Sequence, residues 1–280
     1  MSLRTSTASP TGPRSTSSAT PPPSSPARPS LSDTPYGYDV RKGAAAYAPI
    51  IGTIGGFVVP AVVLVFEITS SHHALAVPLG RATSLLVLGL ISSLLGAFSF
   101  AAIGAEQKLT ADLPAAALYA GAATSIGIVA ILAAFEVLAS IYLKDTRTLF
   151  AMITAGMAIA MSMLVALVLD DAWIAAPPNH WLGTRKKAYF WGRLSAGIAA
   201  AVLLLGASLY FTGTRIALTQ TGIHWFVGTG IVLAVIGGVC GMVRTMRTAD
   251  GTGLPIYEVE AALVLGCLVA YLLAMLLSLP

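Results

Sequence analysis

Glu136 is the single charge inside the longest apolar run of the chain, residues 114–143. An ionisable group at membrane depth costs roughly 3 kcal/mol or more unless something receives it. An acid that looks into a helix bundle can relay a proton, and beside a second acid it can serve general acid–base chemistry. At 100° per residue Glu136 shares a face with Ser125, and Gly121, Ala133, Ala139 and Ser140 fall within about 60° of it. Small residues mark the packed face of a membrane helix, so Glu136 is expected to point inward. Glu67, near the end of the first apolar run, shares a face with Thr53, Gly56 and Pro60. If the first and third runs are neighbours, the two carboxyls lie at a similar level and could share a proton. Pro60 reads as the only proline well inside an apolar run; it removes a backbone hydrogen bond and is the expected hinge.

Other polar groups cluster at run ends. Glu258 and Glu260 open the last run behind Pro255, where acids complement a helix N-terminus. Arg244 and Arg247 lie across the loop from them, so a solvated or ion-paired helix start is expected there. Arg244 shares a face with Gly230, Gly237 and Gly241. His224 opens the sixth run. His72-His73 has no third ligand near it, so no metal site is expected. Gly228-Thr-Gly230 precedes no strand–helix unit, and no nucleophile elbow, P-loop or zinc-protease pattern occurs. No cofactor and no catalytic residue is assigned on these grounds. Cys240 and Cys267 sit in apolar runs and read as small hydrophobes.

The elements that must position these groups are helices. Of 280 residues, 56% are hydrophobic and 10% charged, where a soluble domain carries about 25% charge. Seven apolar runs, 46–69, 82–105, 114–143, 147–169, 189–211, 222–243 and 256–279, are each long enough for the ~20 helical residues of a bilayer crossing. The fold class is therefore an all-α, polytopic membrane protein of seven transmembrane helices in a lipid bilayer. The third and fourth runs are separated by Lys144-Asp145-Thr146 and must form a tight hairpin. The net charge of +4 lies in loops and tail rather than on a basic helix face, so no nucleic-acid partner is expected.

Ser, Thr and Pro fill 24 of the first 36 positions, which leaves nothing to build a core. Residues 1–44 are expected to be a disordered cytoplasmic tail and 45–280 the membrane domain. With the N-terminus inside, Arg41, Lys42, Lys108, Arg185, Lys186, Lys187, Arg244 and Arg247 fall on the cytoplasmic side. Arg81, Lys144, Arg147 and Arg215 fall outside. That asymmetry favours an inner-membrane protein with its C-terminus out. Trp173, Trp181, Tyr189 and Trp191 flank the 185–187 cluster as an aromatic belt would. Arg outnumbers Lys and Ala is abundant, a bias that fits a bacterial chain.

Gly222-Ile-His-Trp-Phe-Val-Gly-Thr229, containing His224, resembles the Gly-Leu-His-x-x-Ile-Gly-Thr segment of subunit III of haem–copper respiratory oxidases. Phe135-Glu136-Val137-Leu138 is similar to that family's intramembrane Ser-Glu-Val-x segment. The basic Gly183–Lys187 loop and Val259-Glu-Ala-Ala262 follow in the same order. The last helix departs from the family, with Gly266-Cys-Leu-Val-Ala270 in place of Trp-His-Phe-Val-Asp. The resemblance implies a non-catalytic subunit without haem or copper of its own, which supports proton uptake and binds lipid.

Three functions fit these features. The first is an accessory or scaffold subunit, partnered by other membrane subunits or by a second copy of itself. The second is a transporter of a small solute or of protons that uses Glu136 and Glu67. The third is an intramembrane enzyme acting on a lipophilic substrate with those carboxylates as acid and base. A non-enzymatic role is favoured, because no catalytic motif is present.

Overall fold

The computed structural model describes residues 40–71, 76–106, 112–143, 146–174, 185–212, 220–249 and 258–278. The tail, His72-His73, His180, Trp181 and Arg215 lie outside the described residues, as do the side chains of Trp173, Arg185–Tyr189, Trp191, Arg247 and Glu258. Seven helices follow one another: α1 Val40–Ser71, α2 Ala76–Ala105, α3 Asp112–Tyr142, α4 Arg147–Ile174, α5 Arg185–Phe211, α6 Gln220–Ala249 and α7 Glu258–Ser278. No strand occurs among the described residues. Helices answer the composition: in hydrocarbon every backbone N–H and C=O needs a partner within the segment, and a helix supplies it.

Among the described residues, six helices, α1, α2, α3, α4, α6 and α7, are long and apolar enough to cross a membrane. The chain is a multi-pass integral membrane protein. Helix α5 has 27 residues, and its described apolar part is Ala196–Leu209. The first helix also starts earlier than its apolar run, at Val40. Pro49 therefore lies inside it as well, and Pro60 is not the only internal proline. The expected hairpin between α3 and α4 is tight: the Thr146 amide donates to Leu143 O at 2.9 Å.

Helix α3 is the hub. It packs against α1, α2, α4, α6 and α7, and 67% of its apolar window is buried, against 22% for α1. Helix α1 is peripheral and leans chiefly on α2. The faces left outward are apolar, as lipid contact requires, with Phe57 72% and Trp225 76% exposed. Helix α5 rests on α4 and α7.

Close approach between backbones holds the centre. Helices in lipid gain little from hydrophobic burial and depend on steric fit through small residues. At the α2–α3 crossing a Cβ added to Gly127 would meet Ser93 N at 2.9 Å, Gly89 O at 3.1 Å and Ser93 Oγ at 2.8 Å. A Cβ on Gly96 would fall on Thr124 Oγ1. Ser93 and Thr124 are buried, and their hydroxyl oxygens take no hydrogen bond. The added Cβ marks where a glycine Hα points, so each oxygen faces a Cα–H, the weak contact that recurs where helices touch. At the other end of α2, a Cβ on Gly104 would lie 3.0 Å from Ala45 N of α1.

Candidate functional site

The contacts that join the helices also set their levels. Gly52 faces Ala97 and Gly104 faces Ala45, so α1 and α2 are antiparallel and Glu67 stands across from Ala82, next to Arg81. Extending the Gly96–Thr124 and Gly127–Ser93 contacts puts that level at Leu138 of α3. Phe135 and Phe150 lie with ring centroids 6.5 Å apart, which brings Arg147 of α4 to within a turn of it. Glu67, Arg81, Glu136 and Arg147 thus share one layer near the face where α1, α3, α5 and α7 end.

Glu136 is fully buried, 0% exposed. Its face carries buried Ser125, Ala133 and Ala139, and Gly121, whose Cβ would lie 3.3 Å from Val165 of α4. The glutamate therefore points inward on the α4 side of α3. Gly127, which touches α2, is nine residues away and on the opposite side at 100° per residue. Helix α1 lies on that opposite side, and Glu67 is exposed. The two acids share a level, but α2 and the body of α3 stand between them. The structure does not bring them together.

At the other face, where α1, α3, α5 and α7 begin, the structure does assemble a site. Arg244, in the last turns of α6, places Nη2 2.5 Å from both Oε1 and Oε2 of Glu260, in the first turn of α7. The Tyr119 hydroxyl of α3 donates to Glu260 Oε1. The side chains of Arg244 and Glu260 are 15% and 22% exposed, so the pair is partly screened but still in contact with water. Its position follows from local geometry. Gly237 and Gly241 bring α6 onto α3, with their added Cβ atoms 3.2 Å from Tyr119 O and 3.3 Å from Ala116 O. Arg244, one turn beyond on the same side, is then directed across α3 to α7. A carboxylate at the start of α7 also complements that helix's N-terminal partial charge.

Of the two expectations for the start of α7, solvated or ion-paired, the structure shows the ion pair, between Glu260 and Arg244; Glu258 is the first residue of the helix. Tyr119 was not legible as its partner. The available signal was a phenol in an alanine-rich stretch, at a depth close to that of the acids of α7. His224 is exposed on α6, and Pro60 is exposed within a continuous α1. No group of three His, Cys, Asp or Glu that could hold a metal occurs among the described residues.

Most other described hydroxyls close on their own helix. Thr83, Ser84, Ser125, Thr154 and Thr245 donate to the carbonyl four residues back at 2.7 to 2.9 Å. Ser99 differs: its Oγ lies 2.8 Å from Leu95 O and 3.3 Å from Gly238 O of α6, a tie between helices. Near the far end of α7 the Tyr271 ring stacks on Phe226, centroids 4.7 Å apart, and its hydroxyl donates to Phe226 O at 3.2 Å.

No family model, no curated protein and no solved structure matches the chain. The likeness to the oxidase subunit is carried by the quoted segments alone.

Proposed function

We propose that this membrane protein is a non-catalytic scaffold subunit of a larger membrane assembly. The observation that carries this is the use made of polar groups. The best-formed polar assembly, Tyr119–Glu260–Arg244, has both carboxylate oxygens engaged and ties three helices together. Most described hydroxyls in the spans return to their own helix carbonyls or, like Ser99, bridge two helices. Groups spent in this way build a rigid body, and rigid apolar faces such as that of α1 suit contact with neighbouring membrane subunits. The test is isolation of the tagged protein in mild detergent after brief cross-linking, with the recovered partner tagged in turn. Co-isolation in both directions is expected. A monodisperse monomer that returns no reproducible partner would sink the proposal.

A proton-coupled transporter is the second reading, and full burial of Glu136 favours it. A carboxyl held inside the bundle is the residue type that relays protons across membranes. Glu136→Gln in a liposome proton-flux assay decides between them. Flux that falls with the substitution supports transport; unchanged flux, or none in the parent protein, removes it. Acid–base catalysis by a Glu67–Glu136 pair gains no support, because those groups lie on opposite sides of α3.

A further inference from the structure

Helices α6 and α7 both rest on α3, yet among the described residues their backbones have little direct contact with each other. They meet through long side chains at two levels. Near one end of the seam Arg244 reaches Glu260, with Tyr119 bracing the carboxylate from α3. Near the other, Tyr271 crosses to α6, where its ring stacks on Phe226 and its hydroxyl lies against Gly230. Helix α7 packs by its backbone on α3, α4 and α5, whereas α6 packs on α2 and α3. The seam is therefore a boundary between two groups of helices that long side chains bridge.

We propose that Tyr119–Glu260–Arg244 is a latch, and that the start of α7 swings from α6 when it opens, with the Phe226–Tyr271 stack as the pivot. The physical basis is the contrast between the two bridges. The stack is broad, apolar and stable at membrane depth. The ion pair lies at the helix ends, within reach of water, where its carboxylate and guanidinium can exchange partners. Opening admits water from the face where α7 begins into a seam whose α6 side carries Leu233 and Cys240, on the helical face of Arg244. Cys240 is one turn from Arg244 on that side and is partly buried. On α7, Cys267 lies on the face of Glu260 and Tyr271, within about 40° at 100° per residue.

The native cysteines report the motion. With Cys267→Ala leaving Cys240 as the thiol, the full chain in nanodiscs is treated with a sulfonated, membrane-impermeant maleimide. Labelling of Cys240 is expected to be slow in this parent. Glu260→Gln should speed it by roughly tenfold, the factor for losing one charge-assisted hydrogen bond from the closed state. The charge-exchanged pair Arg244→Glu with Glu260→Arg should slow it again. Equal labelling of parent and Glu260→Gln overturns the latch, and so does a charge-exchanged protein that labels like Glu260→Gln. Hydrogen exchange on the unsubstituted protein gives an answer even if the variants do not fold. Residues 260–268 of α7 should exchange at least about tenfold faster than 115–134 of α3, as expected where a segment opens locally. Equal protection of the two segments overturns the proposal.

Discussion

Replacing Gly127 by alanine isolates the feature that holds the bundle together. In a helix interior, Gly→Ala alone stabilises by about 1 kcal/mol. Here the new methyl would stand 2.9 Å from Ser93 N and 3.1 Å from Gly89 O. Both atoms are backbone, so no rotamer change relieves the contact and α2 must move as a body. Overpacking a fitted interface costs about 1–3 kcal/mol. A displaced α2 also loosens the Gly96–Thr124 contact one turn away, which points to the upper end of that range. Set against the propensity gain, the net loss is about 2 kcal/mol, a fall in melting temperature of about 4–8 °C by the scaling for chains of this size. Gly156, with nothing within 4 Å of an added Cβ, is the control. Gly156→Ala should leave the melting temperature unchanged or raise it slightly. Thermal unfolding in one mild detergent, followed by tryptophan fluorescence, compares the two. If Gly127→Ala melts at or above the parent alongside Gly156→Ala, the close α2–α3 crossing is not what holds these helices.

Thr124→Val keeps the shape of the side chain and removes a buried hydroxyl whose oxygen takes no hydrogen bond, so the melting temperature should move by less than that of Gly127→Ala, in either direction. Tyr119→Phe deletes one donor to Glu260 and should cost about 1–2 kcal/mol in the same unfolding assay. Gly230→Ala drives a methyl into the Tyr271 hydroxyl and should cost about 1–3 kcal/mol. That cost should shrink in a Tyr271→Phe background, and a double-mutant cycle with no coupling would contradict the contact. Glu136→Ala should destabilise by about 2–4 kcal/mol through the cavity it leaves in a fully buried site, read by chemical denaturation.

Local chemistry made part of this protein legible before any fold was known. Crossing a bilayer is a property of a single segment, so hydropathy and length located the helices without knowledge of their neighbours. The inward direction of Glu136 was legible because helical period alone places it among Ser125, Ala133 and Ala139. The pairing of Glu260 with Arg244 was legible because both flank one short connection.

Partner choice between distant helices belonged to the tertiary structure. Glu67 and Glu136 match in depth, and depth is a one-dimensional property that the sequence carries. Which sides of α3 they occupy depends on where α2 docks, and that is decided by steric fit at Gly89, Gly96 and Gly127 over distances of about 3 Å. The same fit at Gly237 and Gly241 carries Arg244 across to Tyr119 and Glu260, 125 and 16 residues away in the chain. The peripheral place of α1 and the bridged seam between α6 and α7 follow from those contacts as well. The sequence by itself determined that these segments span and how deep each polar group sits. Only packing in three dimensions, where one methyl group decides whether two helices can touch, determined which of those groups meet.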